Sequence, residues 1–299
     1  PNNTHTNQHQ QKIISLQTII FNRGKMFEDK GEKRRPVILV SNDDGYKAKG
    51  IEALIEMVKP FGRIVVVAPE EGNSGMSHAI TIKTPLRMKH RKRTDDVEMY
   101  SVNGTPVDCV KLAMSQIFTT PPDLVVSGIN HGSNSSISII YSGTMAAAIE
   151  GCLYDIPSIG FSLLDYEENP DFTASVKYGR VVVQNVLKNG LSKGCCLNVN
   201  IPVLPADKIK GIKIARQNQG TWREEFEKRT DPRGVNYYWL TGYFHNEEPE
   251  STDTDEWALN NGYISVVPIH VDLTNYKEME RIKNWNFDLN SVDYEPRKI

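Results

Sequence analysis

The 299-residue chain has little of three things that would assign it quickly. Cysteine is scarce: Cys109, Cys152, Cys195 and Cys196 form no Cys-x-x-Cys pair, and the last two are sequence neighbours that could hardly bridge each other without strain. This argues against a disulfide framework and implies buried thiols in a reducing, cytoplasmic setting. An excess of one charge is also lacking, with 35 Lys plus Arg against 37 Asp plus Glu and a net charge of -2. Without an overall cationic field, a nucleic-acid polymer or an anionic membrane has nothing to gather on, so a phosphate-bearing partner must be held at a local site. Long apolar runs are missing as well. The longest, such as Ile64-Val65-Val66-Val67-Ala68, are strand-sized and fall far short of the ~18 consecutive apolar residues that a membrane helix needs.

What is present describes a globular protein. Hydrophobic residues make up 39% of the chain, which excludes disorder throughout, and the length suits one large domain or two modest ones. Residues Pro1 to Arg35 are rich in Asn, Gln, Thr and Lys and show no clear signal peptide; they are expected to form a disordered or non-native tail, with Met26 a candidate natural start. From Pro36 the texture changes. Val37-Ile38-Leu39-Val40 is a continuous apolar run, and Ile51, Leu54, Ile55 and Val58 then repeat at helical spacing. Further apolar runs follow at Ile64 to Ala68, Leu124 to Val126, Ser158 to Phe161 and Cys196 to Asn200, with helices expected at Thr144 to Tyr154 and about Val176 to Leu187. Strands that are apolar throughout are covered on both faces. Alternating with helices, they predict an α/β fold, a doubly wound and mainly parallel sheet, over residues 36–202. Residues 203–299 turn to aromatics, charges and short alternating runs, and predict a smaller, partly antiparallel extension used in oligomerisation that returns to the core.

In an open α/β sheet, ligands bind beyond the carboxyl ends of the strands, so the loops there carry the chemistry. The first reads Ser41-Asn42-Asp43-Asp44-Gly45, two adjacent carboxylates where the chain leaves a strand, although Asp-Asp-Gly alone also serves as a helix cap or solvated turn. The second, Glu70 to His78, is rich in glycine and hydroxyls and by itself reads equally as a surface loop. The third runs from Ser127 through Asn130 to Asn134, after which Ser142-Gly143-Thr144 opens a helix. Free backbone N–H groups at a helix N-terminus suit a phosphate, though Ser142 or Thr144 could simply cap the helix. The donors are all oxygens, which favours Mg2+, Mn2+ or Ca2+ over structural zinc. Two carboxylates would neutralise such an ion, an arrangement that suits phosphate-ester hydrolysis. A Gly-x-Gly-x-x-Gly turn after the first strand is absent, which disfavours a dinucleotide-dependent dehydrogenase, and the adjacent aspartates do not match Asp-x-Asp-x-Thr phosphatases.

Five ordered segments together resemble the signatures of the SurE (survival protein E) family of nucleoside monophosphate phosphatases. They are Val40 to Gly45, Ala68-Pro69-Glu70 running through Ser74-Gly75 to Ser77-His78, Asn103 to Cys109, Val126 to Gly132, and Tyr141 to Thr144. The likeness covers Val37 to Asp165 densely and reappears in Thr254-Asp255 through Ala258, Gly262-Tyr263 and Ser265 to Pro268. The resemblance implies a metal-dependent phosphoric monoester hydrolase acting on nucleoside 5′-monophosphates, in some members also on 3′-monophosphates and short polyphosphate. It implies one divalent cation, Mg2+ or Mn2+, on Asp43, Asp44, Ser74 and Asn130, with Asp43 and Asp44 catalytic. It puts substrate phosphate on Asn134, Ser142, Gly143 and Thr144. It also implies a homodimer or homotetramer formed by exchange of the C-terminal extension. The chain departs from many relatives in carrying Ala48-Lys49-Gly50 for Ala-Pro-Gly, in the composition of Asn134 to Ser138, and in the basic run His90-Arg91-Lys92-Arg93, read here as a solvated hairpin tip. Asparagine and proline in Asn103-Gly104-Thr105-Pro106 read as a turn with Pro at the first position of a helix. Asp43 would either orient and deprotonate the attacking water or attack directly. A nucleotide-binding sensor without chemistry could use the same crevice.

Overall fold

The structure is a computed structural model that describes residues 34–288. The expected tail lies outside the described residues except at its end, where Arg34 pairs with Asp123 and Arg35 with Asp96. In chain order, β1 (Val37–Ser41), α1 (Lys49–Val58), β2 (Arg63–Pro69), β3 (Met88–Arg93), β4 (Val97–Val102), α2 (Pro106–Leu112), β5 (Leu124–His131), α3 (Gly143–Leu153), β6 (Ser158–Leu163), α4 (Thr173–Asn189) and β7 (Cys195–Ile201) build the first two thirds of the chain. The remainder holds β8 (Ile212–Ile214), β9 (Gly220–Arg223), β10 (Phe226–Thr230), β11 (Asn236–Leu240), β12 (Tyr243–Asn246), α5 (Asp255–Asn260), β13 (Ile264–His270) and α6 (Tyr276–Ile282).

One nine-stranded sheet dominates, in the order β3-β4-β2-β1-β5-β6-β7-β13-β8. Its central strands are parallel and its second and outermost partners at one edge, β4 and β3, are antiparallel to each other, as are β7 and β13. The apolar runs explain the layering. Alternate residues of a strand face opposite sides, so Ile38, Val40, Ile64 and Val66 pack against Ile51, Leu54 and Met57 of α1 and Val183 of α4. Leu39, Val65 and Val67 face the other way, onto Cys109 and Val110 of α2 and Ala147 of α3. The result is the three-layer, doubly wound architecture that the run pattern predicts. Leu54 is fully buried in the first of these layers, and Leu54→Ala should cost about 2 to 5 kcal/mol, read as a lower denaturant midpoint with an unchanged slope.

One segment differs from the expectation. The basic run His90 to Arg93 is not a hairpin tip: it lies within β3, an exposed edge strand, and the turn is formed by the residues after it. Charged residues on an edge strand discourage pairing with another chain. Arg91 bonds Glu70 and Ser101, and Lys89, just before the run, also pairs with Glu70. After residue 202, β8 and β13 join the main sheet, while β9 with β12 and β10 with β11 form separate antiparallel pairs. Among the described residues no helix is long and apolar enough to cross a membrane.

Candidate active site

The carboxyl ends of β1, β2 and β5 lie side by side, and the three motif loops leave the sheet there. Ser41 at the end of β1 is in register with Ser127 of β5, so Asp43 and Asn130 both follow just beyond the paired segment. The first loop turns at once. Asn42 Nδ2 donates to the carbonyl of Gly45 at 2.9 Å, and Gly45 has φ +100°, a backbone that side-chain-bearing residues rarely adopt. This turn lets neighbouring Asp43 and Asp44 leave the strand toward one region.

Asp43 is 3% exposed. Thr144 Oγ1, in the first turn of α3, donates to its Oδ1. Gly143 comes so close that a Cβ there would lie 2.7 Å from Asp43 Cβ and 2.9 Å from Oδ2. Glycine is therefore required by the approach of helix backbone to carboxylate. Burial, and then the charge of Asp44, push the Asp43 carboxyl up to about 6, against the hydrogen bond from Thr144. Asp44 is also raised by burial, opposed by a backbone hydrogen bond from His131. Its Oδ2 is buried without a hydrogen-bond partner.

Asn130 donates through Nδ2 to the carbonyls of His131 and Gly132, at 3.1 and 2.9 Å. That fixes the amide so that Oδ1 is the atom left for the site, 3.4 Å from Thr144 Oγ1. Asp43, Asp44, Asn130, Gly143 and Thr144 thus form one cluster. Ser142 caps α3, its Oγ accepting from Met145 N–H at 3.0 Å, as the bland reading of that residue anticipated. Capping uses an acceptor lone pair and leaves the hydroxyl proton available.

The other two predicted residues sit differently. Ser74 is exposed, on a loop tied to the cluster by the bond of its neighbour Asn73 N–H to the Asp43 carbonyl at 2.7 Å. Asn134 is buried, and its Nδ2 donates to Ser162 Oγ at 2.8 Å while its backbone N–H and carbonyl bond Asn200 and Asn198 of β7. The segment after it is held from the C-terminal region: Asp255 accepts from Ser136 N–H, and Ser135 Oγ donates to Glu256. Neither Asp255 nor Glu256 was assigned a role from the sequence, although the signature that reappears at Thr254-Asp255 was the signal that could have found them. Thr105 and Pro106 open α2 with a full capping box, as the turn-and-proline reading predicts.

The donor set suits a divalent cation. It offers carboxylate, amide and hydroxyl oxygens, and an ionised oxygen such as Asp44 Oδ2, buried and unpartnered, is costly unless something positive meets it. Among the described residues there is no group of three or more His, Cys, Asp or Glu placed to hold a metal ion, and the donors gathered here are two carboxylates with neutral oxygens.

Comparison with known proteins gives the chain's family. The family profile described as "Survival protein SurE" matches residues 38–224. The chain belongs to the SurE family. A protein of Christiangramia forsetii named 5′-nucleotidase SurE is 52% identical over 258 residues, 86% of this chain and 99% of that protein. The protein of the same name from Phocaeicola vulgatus is 46% identical, covering 86% of this chain and all of its own length (100%). The crystal structure of the SurE protein from Aquifex aeolicus superposes with a TM-score of 0.73 at 44% identity, over 83% of this chain and 98% of that one. This chain's departure from many relatives at Ala48-Lys49-Gly50 has a simple place in the fold. Lys49 is the first residue of α1, its side chain on the surface bonding Asn169, while Gly50 is required because a Cβ would meet the Ile129 carbonyl oxygen at 2.1 Å.

Proposed function

We infer that this chain is a phosphoric monoester hydrolase, a 5′-nucleotidase that releases inorganic phosphate from nucleoside 5′-monophosphates. The observation that carries this reading is the pairing of Asp43 and Asp44, one with its carboxyl raised to about 6 and the other with a buried, unpartnered oxygen, against the N-terminus of α3. The name 5′-nucleotidase shared by the relatives supports the same chemistry and favours turnover over a non-catalytic sensor.

Asp43, Asp44, Ser74 and Asn130 would hold one Mg2+ or Mn2+, which when bound supplies Lewis-acid charge to the phosphoryl group. The chain's own residues do the rest. Backbone N–H groups at Gly143 and Thr144, with the Ser142 hydroxyl, receive phosphoryl oxygens at the positive end of α3. Asn134, whose Nδ2 donates one proton to Ser162 in the buried amide network of β6 and β7, would give its second amide proton to a phosphoryl oxygen. Asp43, as a carboxylate, orients the attacking water and takes its proton. Acceleration then rests mainly on positioning and on fixed charge at the transferred group.

Residues 36–202 form the catalytic unit in this reading, and residues 203–299 add assembly to a homodimer or homotetramer. Exposed aromatics on β10 and β11, Phe226 at 66% and Trp239 at 58% among them, support a buried role for that hairpin in an oligomer. Four free cysteines support a cytoplasmic setting. Phosphate release from a panel of nucleoside 5′- and 3′-monophosphates and short polyphosphate tests the reading. Activity should be highest on the 5′ esters, fall to background in EDTA, and return with Mn2+ or Mg2+. Undiminished turnover in EDTA would refute it.

A further inference from the structure

Glu150 sits in the second half of α3, in a stretch otherwise built from alanine and other small or apolar residues, and takes no part in the reaction above. Its side chain is only 3% exposed, and it is closed over by two cations or donors from other elements. Lys111 Nζ, in the last turn of α2, stands 2.8 Å from Oε1, and His78 Nε2 stands 3.0 Å from Oε2. Burial alone would raise this carboxyl; hydrogen bonds from His78 and Lys111 outweigh burial and hold it below the usual range.

His78 follows Ser74 in the long loop between β2 and β3, and the next carbonyl, that of Ala79, accepts from Thr105 Oγ1 at 2.7 Å. From Asn73 to His78 the loop is fastened at three places. Asn73 N–H bonds the Asp43 carbonyl, Ser77 bonds the carbonyls of Ile140 and Tyr141, and His78 bonds Glu150. Between the first and second fastenings, Ser74, Gly75 and Met76 are exposed. Gly75 and Ser77 both have positive φ, +73° and +53°. Glycine takes this conformation freely, but serine does so against a steric cost, so Ser77 has to be held there by its surroundings. The His78 bond is the fastening immediately after it. It also reaches the helix whose first turn is Gly143-Thr144, so one helix holds both the phosphate turn and His78 of the Ser74 loop.

We propose that His78 is a positioning residue: its hydrogen bond to buried Glu150 fixes the Ser74 loop against α3, so that the Ser74 hydroxyl is in place before a divalent cation binds. The inference rests on the reading of Ser74 as a ligand. A loop that samples other arrangements lowers apparent affinity in proportion to the fraction of time it is out of place.

The test is calorimetric titration of Mn2+ into the full, metal-free chain, without substrate. His78→Ala should weaken Mn2+ binding about tenfold, equal to about 1.4 kcal/mol. His78→Gln keeps a donor of similar reach and should recover most of this loss. Ser74→Ala should weaken binding as well, and the double variant should be no weaker than Ser74→Ala alone, because both act through one ligand. Should His78→Ala fail to fold, His78→Asn, polar but too short to reach Glu150, carries the same expectation. Wild-type affinity in the His78 variants beside a weakened Ser74→Ala would overturn the inference and leave the site intact. So would equal losses in His78→Gln and His78→Ala, or additive losses in the double variant. An unchanged Ser74→Ala would instead remove the ligand assignment, and this inference with it.

Discussion

Asparagine in place of Asp43 is expected to lower phosphate release from a nucleoside 5′-monophosphate by at least about a thousandfold and, in the metal-free protein, to raise thermal stability at neutral pH. The two effects share one cause. Asp43 is buried beside Asp44, and its carboxyl is raised from 3.8 to about 6. A carboxylate with a raised folded-state value binds its proton more tightly folded than unfolded, so stability is greatest below about 3.8 and declines as pH climbs through 6. The gap amounts to roughly 3 kcal/mol lost at pH 7 and above. Asparagine is nearly isosteric, can still accept from Thr144, and carries no charge to bury. In EDTA, its melting temperature at pH 7 to 8 should therefore exceed that of the unsubstituted chain by on the order of 5 to 10 °C, and the difference should shrink toward pH 4. Melting curves across that range check the sign directly. A destabilised Asp43→Asn would show that the carboxylate is compensated by contacts other than those described.

Gly143→Ala should lose at least about a hundredfold in kcat/KM while folding normally. The new methyl would need to occupy space 2.7 Å from Asp43 Cβ and 2.9 Å from its Oδ2, so the carboxylate or the first turn of α3 has to move. Displacements of about 1 Å at reacting groups cost on this order. The cost to the fold should be smaller, about 1 to 3 kcal/mol for overpacking. Gly143 is not among the glycines with positive φ, and alanine is the better helix former. Far-UV circular dichroism should stay near wild type and the melting temperature should fall by only a few degrees while turnover drops. Full activity in Gly143→Ala would mean that Asp43 does not need the position in which the helix holds it.

Particular residues show why much of this was legible in the sequence. Runs such as Val37 to Val40 and Ile64 to Ala68 are apolar at every position because helices cover both faces, and that texture is visible without coordinates. The paired aspartates, Asn130 and the Ser142-Gly143-Thr144 turn stand out as candidates because each lies at or past the carboxyl end of such a strand or opens a helix. Hidden features depend on distant pairing. Glu150 looks like a surface residue of an alanine-rich helix until His78 and Lys111 are brought over it from 72 and 39 positions away. Asn198 and Asn200 stand at a spacing of two on β7, which puts both on one face, yet nothing local says that their amides will meet Asn134. The basic run His90 to Arg93 offered no apolar alternation to mark it as a strand. Its place was set by the neighbouring β4, whose half-buried residues pair with β2.

Phosphate release by the full chain from a nucleoside 5′-monophosphate with Mn2+, measured beside equilibrium binding of the same nucleotide, tests the central claim most directly. The expected result is release over many turnovers by the wild type, with Asp43→Asn binding nucleotide and releasing none above background. Nucleotide bound tightly but left intact by the wild type, or full turnover in Asp43→Asn, would contradict the account.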